Sequence, residues 1–467
     1  MNKRILGLAL LISFLLAACS PGVPQGMITM PLISDNSWSA FNVSVAVEAD
    51  GDKHIAWSEC PPAGDFSAYC RVIYQRTRSG EIGPRLIFSS PDYAYYMANI
   101  VALNDGRAVI SFYQAAASSC RARYAIIPDV ITSLPPILTT IPGDATESSC
   151  YTKPLLATNG TTVYSVVDKM HSAVQHSYQY RKLLPTLDPN EALVVAANLT
   201  RTTDDNSNMV ADVDSSGTLH TAWTTRRRES GSPDYTYGIE YANNNGVTGN
   251  LTATGITSSS LWVGSLDMAV QSATKARVVY VEPTSPNNSL WLATINSGVV
   301  TQTQISLTPS LEWIGIYPSI SNYGETTTNQ VVVFSAKNNT LAYSQIFYKL
   351  TSTAGQPVQL TDTNAIYKDN FSASVVPFDT GFIAGWRTYS SCPESTFFSY
   401  LGGLPVTAFT TTGGCTSYGQ TMQTGLSSSG GWVVGAWIDK QSTAADARLV
   451  PWISFNTNTI NLPLISR

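Results

Sequence analysis

Apolar and polar positions alternate with a period of two through most of the chain, and the alternation is interrupted by glycine at regular intervals. One segment runs Val45-Ala46-Val47-Glu48-Ala49-Asp50-Gly51-Asp52-Lys53-His54-Ile55-Ala56-Trp57. A second, Met209-Val210-Ala211-Asp212-Val213-Asp214-Ser215-Ser216-Gly217-Thr218-Leu219-His220-Thr221-Ala222-Trp223, repeats it. Alternation, a glycine turn, further alternation and a terminal aromatic predict a β-hairpin, with glycine supplying the positive φ of the turn. Weaker copies end at Phe112, Val166, Tyr280, Phe334, Trp386 and Trp437, at intervals of 51 to 57 residues. The turn glycine lies six residues before the end position at Gly51, Gly106, Gly160, Gly217 and Gly431, and five before at Gly381.

Two further strand-like runs follow each hairpin, such as Val72 to Arg76 and then Arg85 to Phe88. Glycines 80, 246, 298 and 355 stand where their connecting turns belong. Four strands in about 54 residues, repeated eight times, predict an all-β chain folded as a β-propeller of eight four-stranded blades. Seven blades remain open if one weak repeat is irregular. A propeller must close its ring or leave a free edge. Pro31-Leu32-Ile33-Ser34 recurs as Pro463-Leu464-Ile465-Ser466, so the two ends are expected side by side, with either one closing the ring.

The first 26 residues depart from this pattern. Lys3 and Arg4 precede an apolar run from Ile5 to Leu16, too short to span a bilayer and fitting a secretory signal. Leu16-Ala17-Ala18-Cys19 resembles the lipobox of bacterial lipoproteins. That resemblance implies cleavage after residue 18, acylation of Cys19 and a membrane reached through lipid; an ordinary cleaved signal is the alternative. Ser20 after the cysteine favours the outer membrane over the inner. The expected organisation is signal peptide 1–18, lipidated terminus and tether 19–26, and one propeller domain over 27–467.

Six cysteines remain, an even number in an exported chain, which reads as three disulfides. The repeat frame puts each of three pairs in neighbouring loops on one face of the ring. It expects Cys60–Cys70, Cys120–Cys150 and Cys392–Cys415.

Composition narrows the function without naming it. With 43% hydrophobic and 10% aromatic residues the chain can bury a large core. The net charge of −5 argues against nucleic acid as a partner. His54 and His220 share a repeat position, and His171 and His176 lack cysteine or aspartate at zinc spacing, so no metal and no cofactor is expected. Neither a phosphate loop nor a Gly-x-Ser-x-Gly elbow occurs.

The hairpin with its Asp/Ser-Gly turn and following aromatic is similar to the sialidase-like (BNR-type) propellers of bacterial surface proteins. Those enzymes carry an Arg-Ile-Pro element and Ser-x-Asp-x-Gly-x-x-Trp boxes. Here the nearest early element is Gly83-Pro84-Arg85-Leu86-Ile87, and the outer turn Asn296-Ser297-Gly298 lacks the box. Sialidase activity is therefore not carried across.

An aromatic recurs ahead of most first strands: Trp38, Tyr95, Tyr151, Trp262, Trp313 (or Tyr317), Tyr367 and Tyr418. All fall on the cysteine-bearing face, together with Arg226, Arg387, Arg121 and Arg123, and with Glu59, Gln114, Asp168, Glu282 and Asp439. Such a face could stack on sugar rings or grip a peptide, or the aromatics could simply pack between blades. The expected function is a protein- or glycan-binding module of the cell envelope, with a glycan-active hydrolase or lyase as the alternative. Oligomeric state is left open.

Overall fold

The computed structural model describes residues 28–456, apart from intervening segments. Those outside it are 30–37, 62–69, 79–80, 117–118, 131–135, 141–153, 173–174, 186–192, 201–208, 229–234, 246–247, 251–255, 259–265, 284–287, 306–317, 324–328, 338–343, 362–368, 379–380, 390–393, 402–403, 413–423, 430, 438, 441–447 and 450–451.

The described chain is all-β. It forms eight sheets, antiparallel but for one parallel bridge in sheet 1, whose first strands follow one another in sequence. The first strands of sheets 1 to 8 are Ser39–Val47, Ala94–Ala102, Leu155–Thr158, Met209–Val213, Leu266–Ser272, Pro318–Asn322, Asp369–Phe378 and Thr424–Ser429. Sheet 4 carries a fifth short strand, Ile256–Ser258, and sheet 1 has six strands, so the expected four per repeat is a minimum.

Each sheet begins with the hairpin read from the sequence. In sheet 1 the first strand pairs with Lys53–Cys60, Val47 facing Lys53, and Gly51 turns at φ +96° while its N–H reaches Glu48 O. Sheet 4 repeats this with Gly217 at φ +88° bonded to Asp214 O. Glycines 106, 160, 298, 355 and 431 also take positive φ. The repeat-end residues Trp57, Phe112, Val166, Trp223, Tyr280, Phe334 and Trp386 all lie on second strands and are all buried. Burying a large apolar side chain contributes roughly 1.5–3 kcal/mol, which explains why this position is the one that recurs.

The core is divided among the gaps between successive sheets. Val72, Tyr74 and Phe88 of sheet 1 pack on Ile100 and Phe112 of sheet 2, and Val434 and Ala436 of sheet 8 pack on Val45, Ile55 and Trp57 of sheet 1. Every first strand touches the next first strand, and that of sheet 8 touches that of sheet 1.

Apart from the Ser39 end in sheet 1, those first strands have one unpaired edge, which needs partners for its N–H groups. Side chains of the preceding sheet supply several. Ser44 Oγ accepts Ile100 N (3.2 Å), Asp267 Oδ2 accepts Ile320 N (2.9 Å), and Ser319 Oγ accepts Val375 N (3.3 Å). Asp212 likewise accepts the Val270 N–H.

The two ends of the chain meet twice. Ile28–Thr29 forms the outer strand of sheet 8, antiparallel to Trp452–Asn456, with Ile28 opposite Ser454. The repeated Pro-Leu-Ile-Ser tetrapeptides lie outside the described residues. In return, a small hairpin from the last repeat, Asp439–Lys440 and Arg448–Leu449, joins sheet 1 through a parallel pairing of Arg448 with Ser39. No helix among the described residues is long and apolar enough to cross a membrane.

Candidate functional site

Two ends of the stacked sheets carry chemistry: the end where first strands turn back at glycine, and the opposite, cysteine-bearing end.

At the turn end a cavity of about 360 Å³ opens between the strand ends Val45–Glu48 and Ile100–Asn104, the turn Thr158–Gly160, and Ser429. Sheets 1, 2, 3 and 8 thus contribute to it. Aliphatic residues such as Val45, Val47 and Ile100 line it together with the polar residues Asn104, Thr158 and Asn159. Asn159 is held in place: its Oδ1 accepts Thr161 N and Thr162 N, and its Nδ2 donates to Asp214 O of sheet 4 (3.1 Å). The Asn104 N–H donates to Gly160 O (2.8 Å), tying sheet 2 to sheet 3 at the rim.

Among the described residues lining this cavity Glu48 alone is ionisable, and its carboxylate is already engaged. Its Oε1 lies 2.6 Å from His54 Nε2 and accepts Arg76 Nη2 at 3.0 Å. Arg76 also donates to Asp52 Oδ2 (2.7 Å) and to Asp129 of sheet 2 (3.0 Å). The other imidazole nitrogen of His54 meets the Tyr74 hydroxyl at 2.8 Å, which fits Nε2 as donor to Glu48 and Nδ1 as acceptor. Burial pushes the His54 pKa down, with Glu48 opposing, and pushes the Tyr74 hydroxyl up. A buried charge needs partners, and this cluster gives the Arg76 guanidinium carboxylates at both terminal nitrogens, leaving its Nε without one.

Sheet 4 holds a reduced copy. His220 Nδ1 meets Tyr241 OH at 2.6 Å, while Asp214 accepts Ser216 N and Thr218 N. Burial pushes His220 down to about 4, against the pull of Asp214. The repeated histidine is therefore an interior hydrogen-bonding residue in both sheets.

At the cysteine-bearing end the outcome for the sequence-derived candidates is mixed. Cys60 and Cys70 form a disulfide. Cys120 is also disulfide-bonded and lies 3.3 Å from the Tyr96 hydroxyl. Cys150, Cys392, Cys415 and Cys19 lie outside the described residues, as do Tyr151, Trp262, Trp313, Tyr367 and Tyr418. Arg226 and Arg387 stand on second strands, facing Tyr237 and Ser395 in the ladders.

Two candidates are corrected. Tyr95 is not an exposed ring: it is 6% accessible and packs edge-on against Phe112 at 5.3 Å, filling the gap between sheets 1 and 2. Glu59 is not a solvated loop charge: it is fully buried, accepting Trp57 Nε1 (2.7 Å) and Arg71 Nη2 (2.8 Å). Arg71 in turn sits over the half-buried Trp38 ring, 3.7 Å from its centroid. Gln114, at the equivalent place in sheet 2, accepts Arg123 Nε (2.5 Å).

Sequence reasoning missed Asp212 and Asp267, acids set among apolar residues on the first strands of sheets 4 and 5. Burial raises the Asp212 carboxyl to about 7, against the bonds from Val213 and Val270, and burial raises Asp267 as well. Their signal was available: an acid at an inward position of an alternating run is the informative exception. No group of three or more metal-ligating side chains occurs among the described residues.

No protein-family description and no curated protein matches this chain. Among solved structures it is similar to a puromycin-hydrolysing peptidase from Mycobacterium tuberculosis, at 11% identity over 88% of this chain and 62% of that one, with a TM-score of 0.48. A polysaccharide lyase gives 8% identity over 94% and 90%, with a TM-score of 0.45. An α-L-arabinanase from Penicillium chrysogenum gives 10% over 92% and 98%, with a TM-score of 0.39. None of these values supports carrying an activity to this chain.

Proposed function

We propose that this protein is a lipid-anchored β-propeller of eight blades that binds a glycan or protein of the bacterial cell envelope. Support for the ring comes from the unbroken succession of first-strand contacts from sheet 1 to sheet 8 and back to sheet 1. In this reading residues 27–467 form one domain, Cys19 carries the lipid, Ser20 directs it to the outer membrane, and Cys120 pairs with Cys150 and Cys392 with Cys415.

One observation carries the binding role. Glu48, the single ionisable residue among the described residues lining the cavity, is already ion-paired with Arg76 and hydrogen-bonded to His54. Acid–base chemistry needs a titratable group free to reach the ligand. The cavity offers aliphatic surface and amide groups instead, which suits a neutral polar ligand. The test is a glycan array and an envelope pull-down, followed by calorimetry on the hit. Saturable binding without product is expected, weakened about tenfold by Asn104→Ala. Turnover of the bound ligand would overturn the reading.

The alternative, a glycan-active hydrolase or lyase, draws on Asp212, whose carboxyl is held near 7, though it accepts the Val213 and Val270 N–H groups and does not line the described cavity. A general acid of a glycosidase needs such a value. Under this alternative, Asp212→Asn abolishes glycan cleavage.

A further inference from the structure

We infer that the turn end of the propeller lies against the bilayer that anchors it, leaving the cysteine-bearing end turned outward. The inference rests on the reading of Cys19 as the lipidated residue, and adds to it which surface meets the lipid.

The direction of one strand comes first. In sheet 8 the strands Thr424–Ser429, Trp432–Trp437, Trp452–Asn456 and Ile28–Thr29 alternate in direction. The first runs toward its glycine turn, so the fourth, Ile28–Thr29, runs away from the turn end. The chain therefore enters the body travelling from the turn end toward the cysteine-bearing end. Nine peptide steps separate Cys19 from Ile28, at most about 30 Å when extended, comparable with the height of one sheet. An acylated Cys19 thus keeps the body close to the membrane, on the side from which the chain arrives.

Side-chain exposure points the same way. In a four-strand meander the first-to-second and third-to-fourth turns share an end. Among the described residues, five of the seven exposed large hydrophobic side chains flank the third-to-fourth connections of sheets 1, 2, 5 and 6, while Ile87 and Tyr93 lie toward the other end. Ile82 follows the Arg78–Glu81 pair, and Val299 follows the Ser297-Gly298 turn. Val358 faces Tyr348 just after Gly355. Val130 (74% accessible) and Ile137 (89%) lie between the third and fourth strands of sheet 2. Such groups are costly in water and favourable at a headgroup–acyl boundary. The cavity opens at this same end, so its ligand is a component at the membrane surface.

The test uses the full acylated chain in phospholipid vesicles carrying a headgroup quencher. Two single-site fluorophores are compared, on Val299→Cys at the turn end and on Tyr93→Cys at the other end. The expected result is quenching at least twofold greater at position 299. Equal quenching, or more at position 93, overturns the inference. Cys19→Ala separates the two layers of the reading. Release of this variant from vesicles is the result expected of lipid anchoring. Its retention overturns Cys19 as anchor, while the quenching ratio still decides the orientation.

Discussion

Gly51, in the first turn of sheet 1, lies directly against the indole of Trp432 in sheet 8, where a Cβ would run into the ring. Lys53 then covers the same ring, its Nζ 4.5 Å from the centroid and donating to Gly51 O at 2.7 Å. The first and last repeats are joined here by a backbone with no side chain.

Gly51→Ala should therefore do two kinds of damage, forcing a left-handed φ on an L-residue and displacing the indole. A loss of about 2–4 kcal/mol is expected, read from urea unfolding. Combining it with Trp432→Ala should recover part of that loss, because the clash goes while the φ strain stays. Strict additivity would show that the two positions do not touch.

Glu59 is the centre of a buried chain from Trp57 to Arg71. Glu59→Ala strands both the indole N–H and the guanidinium, and should cost about 3–5 kcal/mol in chemical denaturation. Arg71→Ala should cost less, since Glu59 keeps its indole donor. The reverse order would sink this account of the cluster.

The Cys60–Cys70 bridge closes a short loop, ten residues apart in sequence. Replacing both by serine should lower stability by about 2–3 kcal/mol without changing the β content seen by circular dichroism. A folded state that collapses entirely would assign the bridge a larger role.

Asp212 and His220 should bend the pH–stability curve in opposite senses. A carboxyl raised to about 7 from 3.8 favours folding when protonated, so its contribution is full below about pH 4 and fades as pH rises to 7. A histidine lowered to about 4 from 6.5 favours folding when neutral, so its contribution is full above pH 6.5 and fades as pH falls to 4. The two slopes oppose each other between pH 4 and 6.5. Asp212→Asn should steepen the loss of stability on acidification and raise stability at pH 8. An unchanged slope in thermal melts across this range would refute the assignment.

The repeat was legible because most of its hairpins place a glycine at positive φ and a large buried side chain at fixed spacing; Gly51 with Trp57 and Gly217 with Trp223 meet both demands locally. The site was less legible, because its groups meet across sheets. Arg76 and Asp129 are 53 positions apart, and nothing near either one announces the other. Tyr95 misled for a related reason. A ring recurring once per repeat serves the gap between sheets as readily as it would serve a ligand, and only packing against Phe112 decides between them. Glu59 looked like a loop charge because its partner, Arg71, waits across the disulfide-bridged connection.

Exchanging strands between the two ends also dictates an order of events. Sheet 8 is incomplete without residues 28 and 29, and sheet 1 lacks its added hairpin until residues 439–449 arrive. A chain synthesised from its N-terminus must hold its earliest strand unpaired while some 420 residues follow it. Pairing Ile28 with Ser454 is then among the last and slowest steps, since loop closure over such a span precedes any reward. A copy cut short before residue 439 would keep raw strand edges at both ends, a mark by which a protease could tell unfinished molecules from finished ones.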